Sequence, residues 1–411
     1  MGWSIQPPAH KMIKNKESHV MKEGRLGIYV QPESVVAEPG YAKRLIQEAG
    51  VDYFILRSGY GLDFPSEVGE AVNIVRGLNA KVCLMLGAWW GRGSIKRLEN
   101  LPSKSYESMY PMEMPGSSID AKLVAKYEKA CAQFKPESIC ISHGRYRHPA
   151  YLEGIFDEGS NDPEYLARME SKGIPRADVL SARASWEKAM GQADKETLFK
   201  YAENGLIEFL CSLSQSDAFK RLVAFRLETI HLSLRALSRA VKSHGVSFGT
   251  NAYSLIASEV CGQDYGDSYT ENCDFVQPLF PYMEYHRYEP VAAWGRYILS
   301  HAKLDDPDAI EVAKRIFYLG DAIFPDNLKE LDTCAEGDGK VIRSIVSKEL
   351  KMCKPYLSRP YKIQPVFRGI QWDHAVTDNL VEEAKSYGMD SFIYMGCEYL
   401  LKEPAPSNVW F

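Results

Sequence analysis

The 411-residue sequence lacks long hydrophobic runs. Its longest apolar stretch, Val82–Trp90, is far shorter than the roughly 20 residues that a membrane-spanning helix needs. The opening segment, residues 1–20, contains lysines but no apolar core of the kind that secretory signals have. We therefore expect no membrane partner and no secretory signal.

An excess of positive charge and a cysteine framework are absent too. The net charge is −5, the pI is near 6.1 and no basic stripe stands out, so we expect no nucleic-acid partner. The nine cysteines are an odd number without CxxC spacing, and Cys83 and Cys140 fall inside strand-like runs. Small buried thiols of this kind indicate a reducing compartment, and we predict a cytoplasmic protein.

A glycine-rich phosphate loop is a further absence. Gly59–Tyr60–Gly61 is too short to match the dinucleotide-binding fingerprint, which weakens the alternative of a doubly wound open sheet. We expect no cofactor, and the oligomeric state is left open.

What the sequence does contain is clearest in the unit Tyr361–Leu400, a predicted strand–helix–strand. Ile363–Phe367 and Ser391–Met395 are short apolar runs of the type that buried parallel strands use, although Pro365 cannot donate to a ladder. Gly388 is predicted to end the helix between them. Three apolar side chains are predicted to share one face of that helix: Leu380, Val381 and Ala384.

The same alternation recurs along the chain and predicts an α/β fold, a (β/α)8 TIM barrel. The barrel is expected to occupy residues 25–411 as a single domain, after a lead-in at 1–24, with helical insertions after strands four and six at about 150–243 and 282–358. The predicted strands are Leu26–Val30, Asp52–Arg57, Lys81–Leu86, Ser138–Ile141, Val246–Gly249, Phe275–Leu279, Ile363–Phe367 and Ser391–Met395. The predicted helices include Tyr41–Ala49, Ser66–Leu78 with Ser66 as N-cap, Lys122–Phe134 and Phe219–Val241.

Polar and aromatic residues follow most of these strands, at the end where parallel α/β proteins place their chemistry. Aromatic rings with a polar rim suit the apolar faces and hydroxyls of sugars. Trp89 and Trp90 could equally form the top layer of the barrel core. The predicted substrate-binding residues are Arg57, Tyr60, Trp89, Trp90, Arg145, Asn251, Tyr282, His286, Arg368 and Trp372.

Carboxylates at the strand ends suggest glycoside hydrolysis, which normally needs two of them. Glu398 and Asp373 follow neighbouring predicted strands, and Asp157 lies in the loop after strand four. His143 is a candidate acid–base group because its pKa needs little adjustment. The sequence has 54 acidic residues, so the plain alternative is that these carboxylates are solvated loop residues.

The chain resembles a family of glycoside-hydrolase-like barrels, over roughly residues 25–401. The resemblance rests on FKRLVAFR (219–226) and its helix, SFGTNAYS (247–254), CGQDYGDSYTENCDFVQPLFPYMEYH (261–286) and FIYMGCEYL (392–400). It implies carbohydrate-directed hydrolysis and places Gln263, Asp264 and Tyr265 in a G-Q-D-Y element. Pro278, Pro281 and Tyr282 fall in its strand-six element. The Asn-Glu after strand four and the Glu after strand seven of common retaining barrels are missing from SHGRYRHP and FRGIQWDH.

Two other functional classes stay open. The histidines His143, His148, His286 and His374 follow predicted strands and, with Asp373 or Glu398, could hold a divalent metal for hydrolase or isomerase chemistry. No HxH or HExxH spacing supports this, so no metal site is assigned. The third class is a barrel that binds a ligand or a partner without catalysis.

Three arginines at strand ends, Arg57, Arg145 and Arg368, suggest an anion. A guanidinium offers a planar fork of donors to a carboxylate or phosphate. The anion could be internal, such as Asp63, Asp157 or Glu398, and would then brace the rim. We hypothesise that at least one arginine meets a uronate or phosphate of the substrate, a small molecule or oligosaccharide.

Overall fold

A computed structural model describes residues 25–59, 63–87, 119–142, 144–146, 163–253, 255–280, 289–331, 339–368, 373–403 and 405. The lead-in predicted at 1–24 lies outside these residues. In the described part of the chain no helix is both long and apolar enough to cross a bilayer.

One sheet of nine parallel strands organises the described chain. Their spatial order is β7-β6-β5-β4-β3-β2-β1-β9-β8. The strands are β1 Arg25–Val30, β2 Tyr53–Arg57, β3 Lys81–Gly87, β4 Ser138–Ser142, β5 Ser247–Ala252, β6 Phe275–Pro278, β7 Lys362–Ile363, β8 Val366–Arg368 and β9 Ser391–Met395.

The two ends of this order meet in one short stretch of chain, because only Gln364 and Pro365 separate β7 from β8. Leu279, just after β6, forms a parallel bridge with Val366, while the carbonyl of Pro365 accepts the N–H of Ile393 at 3.0 Å. The sheet therefore curls on itself as an α/β barrel, which overturns the open-sheet alternative. The single strand predicted at Ile363–Phe367 is wrong in detail, since Pro365 has no N–H to donate and the strand divides there.

Side chains alternate between the two faces of the curled sheet, and each face has its own core. The inner face packs Tyr29, Tyr53, Ile55, Met85 and Phe275 with neighbours from β4, β8 and β9 into a compact cluster. The outer face and the surrounding helices form the larger, mainly apolar cluster. Both clusters exclude water almost completely, so burial of apolar surface on both faces stabilises the barrel.

Two glycines on the strands make room for the inner rings. A Cβ on Gly27 would lie 2.4 Å from the Tyr53 ring, and a Cβ on Gly249 would lie 2.5 Å from the carbonyl oxygen of Phe275. Any side chain at either position would collide with the cluster on the inner face.

Helices surround the sheet and fill its longer connections. Those described between β4 and β5 are α5 to α9, and those between β6 and β7 are α11 to α14. Two 3-10 turns cover Glu259–Cys261 and Lys354–Tyr356. The helices are α1 Pro32–Ala37, α2 Pro39–Gln47, α3 Glu67–Gly77, α4 Ile119–Phe134, α5 Pro163–Ser171, α6 Arg176–Met190, α7 Lys195–Ala202, α8 Gly205–Ser214, α9 Ala218–Lys242, α10 Asp267–Asn272, α11 Glu289–His301, α12 Asp306–Ile316, α13 Leu328–Leu331, α14 Gly339–Cys353, α15 His374–Ser386 and α16 Glu398–Leu401.

Local signals explain several helix ends. Gly388, with φ of +93°, follows α15 as predicted, and Leu380, Val381 and Ala384 are buried together on its inner face. Ser66 occupies the N-cap position of α3, as predicted, but its hydroxyl donates to the Glu67 carboxylate at 3.0 Å and caps no backbone N–H.

Candidate functional site

The candidate site is the mouth of the barrel, defined as the carboxyl ends of its strands and the residues that follow them. The alternation along each strand puts Arg57, Ser142, Asn251 and Arg368 on the inner face, because Ile55, Cys140, Gly249 and Val366 two residues earlier belong to that face. Four different strands thus direct polar side chains toward one opening.

A hydrogen-bonded layer lies inside the barrel and extends from below the ends of β1, β5 and β6 to the start of β9. We call it the polar floor: Tyr29, Cys140, Asn251, Gln277, Gln364 and Ser391. The Gln277 Oε1 accepts the Tyr29 hydroxyl at 2.5 Å, the Asn251 amide at 3.0 Å and the Cys140 thiol at 3.3 Å. The Asn251 amide also donates to the Tyr29 hydroxyl.

The floor continues across the sheet. Gln277 Nε2 donates to Gln364 Oε1 at 3.1 Å, and Gln364 Nε2 donates to the Ser391 hydroxyl at 3.0 Å. Burial raises the pKa of the Tyr29 phenol well above its ordinary value, so the hydroxyl stays neutral. Each of these side chains is buried and locked by its neighbours, which gives the floor fixed donor and acceptor positions.

The three arginines sit at different depths. Arg57 is half-buried at the end of β2, while Arg368 ends β8 and is only 7% exposed. Arg145, after β4, is also buried; its guanidinium lies over the Tyr253 ring, 5.3 Å from the centroid, and donates to the Tyr146 carbonyl at 3.2 Å.

The loop after β5 is tied to the mouth by Gln263, a residue of the G-Q-D-Y element. Its Oε1 accepts the Tyr253 N–H at 2.7 Å, and its Nε2 donates to the carbonyls of Gly144 at 3.3 Å and Asn251 at 3.4 Å. The Tyr265 hydroxyl donates to the Tyr253 carbonyl at 2.8 Å. This element therefore joins the ends of β4 and β5 and positions Arg145 through Tyr253.

The two carboxylates predicted after the last strands occupy different environments. Asp373 is exposed and caps α15, with its Oδ1 accepting the Ala375 N–H at 2.9 Å. Glu398 is half-buried at the start of α16. The residues that follow them touch, since the His374 and Tyr399 rings meet edge to face with centroids 5.4 Å apart. The two loops are thus neighbours, as the order of β8 and β9 requires.

Lys126 is a candidate that the sequence interpretation missed. It lies on α4 with 2% exposure, and its Nζ is 3.3 Å from the carbonyl oxygen of Gly59 just after β2. Burial lowers the pKa of this amine to about 8. A signal was present, because Leu123, Lys126, Tyr127 and Ala130 follow the spacing of one helical face and all four are buried.

Several predicted site residues cannot be placed: Tyr60, Trp89, Trp90, His143, Asp157, Tyr282, His286 and Trp372 lie outside the described residues. Within the described ranges, no group of three or more histidine, cysteine, aspartate or glutamate side chains could hold a metal ion. His374, at the start of α15, is exposed. All eight described cysteines are free and buried.

Comparisons with known proteins give only distant similarities in structure. Neither a protein-family model nor a curated protein matches this sequence. An α-L-fucosidase, isoenzyme 2, from Paenibacillus thiaminolyticus is similar in structure with a TM-score of 0.44 and 7% identity, over 90% of this chain and 46% of the fucosidase. A glycoside hydrolase family 18 N-acetylglucosaminidase from Paenibacillus barengoltzii gives a TM-score of 0.31 and 11% identity, over 63% of this chain and 54% of that protein.

A GH113 β-1,4-mannanase gives a TM-score of 0.34 and 9% identity, over 90% of this chain and 87% of that chain. The present chain therefore spans about half the length of the first two structures and most of the third. These neighbours are glycoside hydrolases, but at such scores the similarity carries no argument about the reaction. The chemistry of the mouth has to be argued from this chain's own residues.

Proposed function

We propose that the chain is a carbohydrate-active hydrolase whose substrate binds at the mouth of the barrel. The observation that carries the proposal is the polar floor. The interior of a (β/α)8 barrel is commonly filled with branched apolar side chains. Here Tyr29, Asn251 and Gln277 form a fixed hydrogen-bonded layer near the carboxyl ends of β1, β5 and β6. Preorganised polar groups beneath the mouth suit a ligand rich in hydroxyls.

The proposed eight-fold barrel follows from counting β7 and β8 as one strand broken at Pro365. Its domain then runs from residue 25 to the end of the sequence, with insertions at about 150–243 and 282–358. The buried free cysteines support a reducing, cytoplasmic location.

Glu398 is the proposed principal acid–base residue or nucleophile, because it is half-buried beside β9 and holds no helix cap. Asp373 is proposed as its partner, although one of its oxygens already accepts the Ala375 N–H. Asp157 and His143 remain candidates for the same roles. Tyr60, Trp89, Trp90, Tyr282, His286 and Trp372 are proposed to contact the sugar rings, with Arg57, Arg145, Asn251 and Arg368 below them.

An anionic sugar is the proposed substrate class. Arg145 and Arg368 are buried at the mouth, and Arg57 is half-buried there. A uronate or sugar phosphate would be held by the planar fork of a guanidinium group.

The test is turnover of the purified full-length chain on neutral glycosides, uronides and sugar phosphates, with Glu398→Gln and Asp373→Asn. Removing a catalytic proton carrier should lower turnover about 100-fold or more. Asp373→Asn keeps a good N-cap residue, so a loss of turnover in this variant reports the missing charge and not a broken helix.

Glu382→Gln is the matched control, since Glu382 is an exposed residue of α15 paired with Lys385 at 2.6 Å. It should retain turnover within about twofold, as surface changes of this kind have little effect. Full turnover in both Glu398→Gln and Asp373→Asn would refute the assignment of these carboxylates. No turnover of any substrate by the wild type, or a stoichiometric metal in the purified protein, would refute the metal-free hydrolase itself.

A further inference from the structure

A cavity lies among the inserted helices and the loop after β5, and we call it the helical cavity. It has a volume of about 660 Å³ and is bounded by α8, α9, the loop after β5, the end of α12 and the end of α14. This volume is in the range of small-molecule sites, about 300–1,000 Å³. The walls are mostly aliphatic, with Ile207, Val223, Leu227, Leu255 and Met352 among them.

Negative charge exceeds positive charge among the residues that line the helical cavity. Glu208 and Lys220 both line it, but they neutralise each other at 2.6 Å. Glu259, in the 3-10 turn after β5, adds a further carboxylate, and among the described lining residues only Lys220 is basic. The charge left at this cavity is therefore negative.

A neighbouring carboxylate adds to the negative charge of the helical cavity. Partial burial and the neighbouring Asp264 carboxylate raise the pKa of Glu259, because both make its negative charge less favourable. The nearby Arg359 lies 3.8 Å from Asp267, which offsets its positive charge. A cation from outside would relieve the repulsion between Glu259 and Asp264.

Two tyrosines line the same cavity beside this carboxylate. Tyr318 and Tyr356 line the cavity together with Glu259. Partial burial and the Glu259 charge raise the pKa of both phenols. Tyr318 is held in a left-handed conformation with φ of +57°, and its hydroxyl lies 3.4 Å from the Asn204 carbonyl oxygen. Gly205 makes this possible, because a Cβ there would collide with the Tyr318 ring.

We propose that the helical cavity is a second ligand site that binds a small amphipathic amine. The apolar body of the ligand occupies the aliphatic walls, and its ammonium group meets the Glu259 carboxylate beside the Tyr318 and Tyr356 rings. Carboxylates pair with ammonium groups, and tyrosine faces attract cations within about 6 Å. Neutral or anionic ligands of the same length lack this attraction.

The test is binding of three probes to the full-length protein by titration calorimetry at pH 7.5: octyltrimethylammonium, octanol and octanoate. The quaternary ammonium is permanently charged, so only the protein titrates. We expect octyltrimethylammonium to bind about tenfold more tightly than octanol, with octanoate the weakest. Equal binding of all three probes, or none, would overturn the proposal.

Two substitutions separate the parts of the site. Glu259→Gln removes the charge with little change of shape and should bring octyltrimethylammonium within about threefold of octanol. Glu228→Gln, on an exposed residue of α9 paired with Lys172 at 2.8 Å, is the control and should leave the preference intact. An unchanged preference in Glu259→Gln would overturn the role of the carboxylate.

Ala224 is exposed and lines the cavity, so Ala224→Phe places a ring there. The substitution should weaken the binding of all three probes about tenfold. Ala236→Phe makes the same change at an exposed position of α9 that does not line the cavity. Thermal melts of all four variants check that each is folded. If Ala236→Phe weakens binding as much as Ala224→Phe does, the ligand is not in this cavity.

Discussion

The barrel mouth and the helical cavity differ in how their surfaces are built. Beneath the mouth, Tyr29, Asn251 and Gln277 are joined by hydrogen bonds, and each has a fixed orientation. The helical cavity has mostly aliphatic walls, and the Glu259 charge is left over after Glu208 and Lys220 pair. Fixed donors and acceptors select a ligand by direction, whereas aliphatic walls select it by size and water exclusion.

The difference also predicts how each region responds to substitution. A buried polar network depends on every member, because one deletion leaves several partners without hydrogen bonds. A wall of aliphatic side chains loses only contact area. The polar floor should therefore be much more sensitive to a single change than the helical cavity.

Gln277→Met should cause the largest loss of stability. Its oxygen accepts from Tyr29, Asn251 and Cys140, and its amide donates to Gln364, so methionine leaves several buried groups unpaired. We expect the free energy of unfolding to fall by about 3 kcal/mol in urea denaturation. Gln192→Met, on an exposed glutamine, is the control. Equal effects of the two substitutions would show that the floor is not a cooperative network.

Lys126→Met should stabilise the protein, in contrast to Gln277→Met. At pH 7 the lysine is charged and buried, and methionine removes the cost of burying that charge while losing the Gly59 contact. We expect the free energy of unfolding to rise by about 2 kcal/mol at pH 7. Lys129→Met, at a lysine with 57% side-chain exposure on the same helix, should change it little.

The pH dependence of this pair follows from the lowered pKa of Lys126. The folded protein releases the proton near pH 8, while the unfolded chain holds it to about 10.5. The unfolded state binds more protons between these values, so the wild type gains stability relative to Lys126→Met as the pH rises through this window. A difference between the two proteins that stays constant from pH 7 to 10 would contradict this assignment.

Arg368→Lys should give the smallest effect, on binding at the mouth. The substitution keeps the charge and loses the planar fork, so we expect about fivefold weaker binding of a uronide inhibitor and little change for its neutral analogue. Arg359→Lys, at a residue before β7 that pairs with Asp267, should change the binding of neither analogue. If acidic and neutral analogues bind the wild type equally, the substrate is not anionic.

Much of the fold was predictable because buried strands and helix faces leave a local pattern of apolar residues in the sequence. Ser391–Met395 is a strand with the predicted bounds, and the apolar face of α15 lies where its spacing placed it. The break at Pro365 was signalled by its missing N–H, but whether the chain would resume the same ladder depended on β6 and β9, which are distant in sequence.

The candidate site was less predictable. Tyr29 and Gln277 read as ordinary strand residues, and only the closing of the barrel brings β1 and β6 together across its interior. Serine is a common N-cap residue, yet the Ser66 hydroxyl donates to the adjacent Glu67 carboxylate. The hydrogen-bond partner of each side chain depends on which group is nearest in space. The neighbouring residues in the sequence do not determine that.

The most direct test of the central claim is a crystal structure of the Glu398→Gln variant with a uronide-containing oligosaccharide. We predict that the sugar lies at the mouth of the barrel above Tyr29, Asn251 and Gln277, with its carboxylate near Arg368 or Arg145 and the scissile bond beside residue 398. An oligosaccharide bound in the helical cavity, with the mouth empty, would contradict the account.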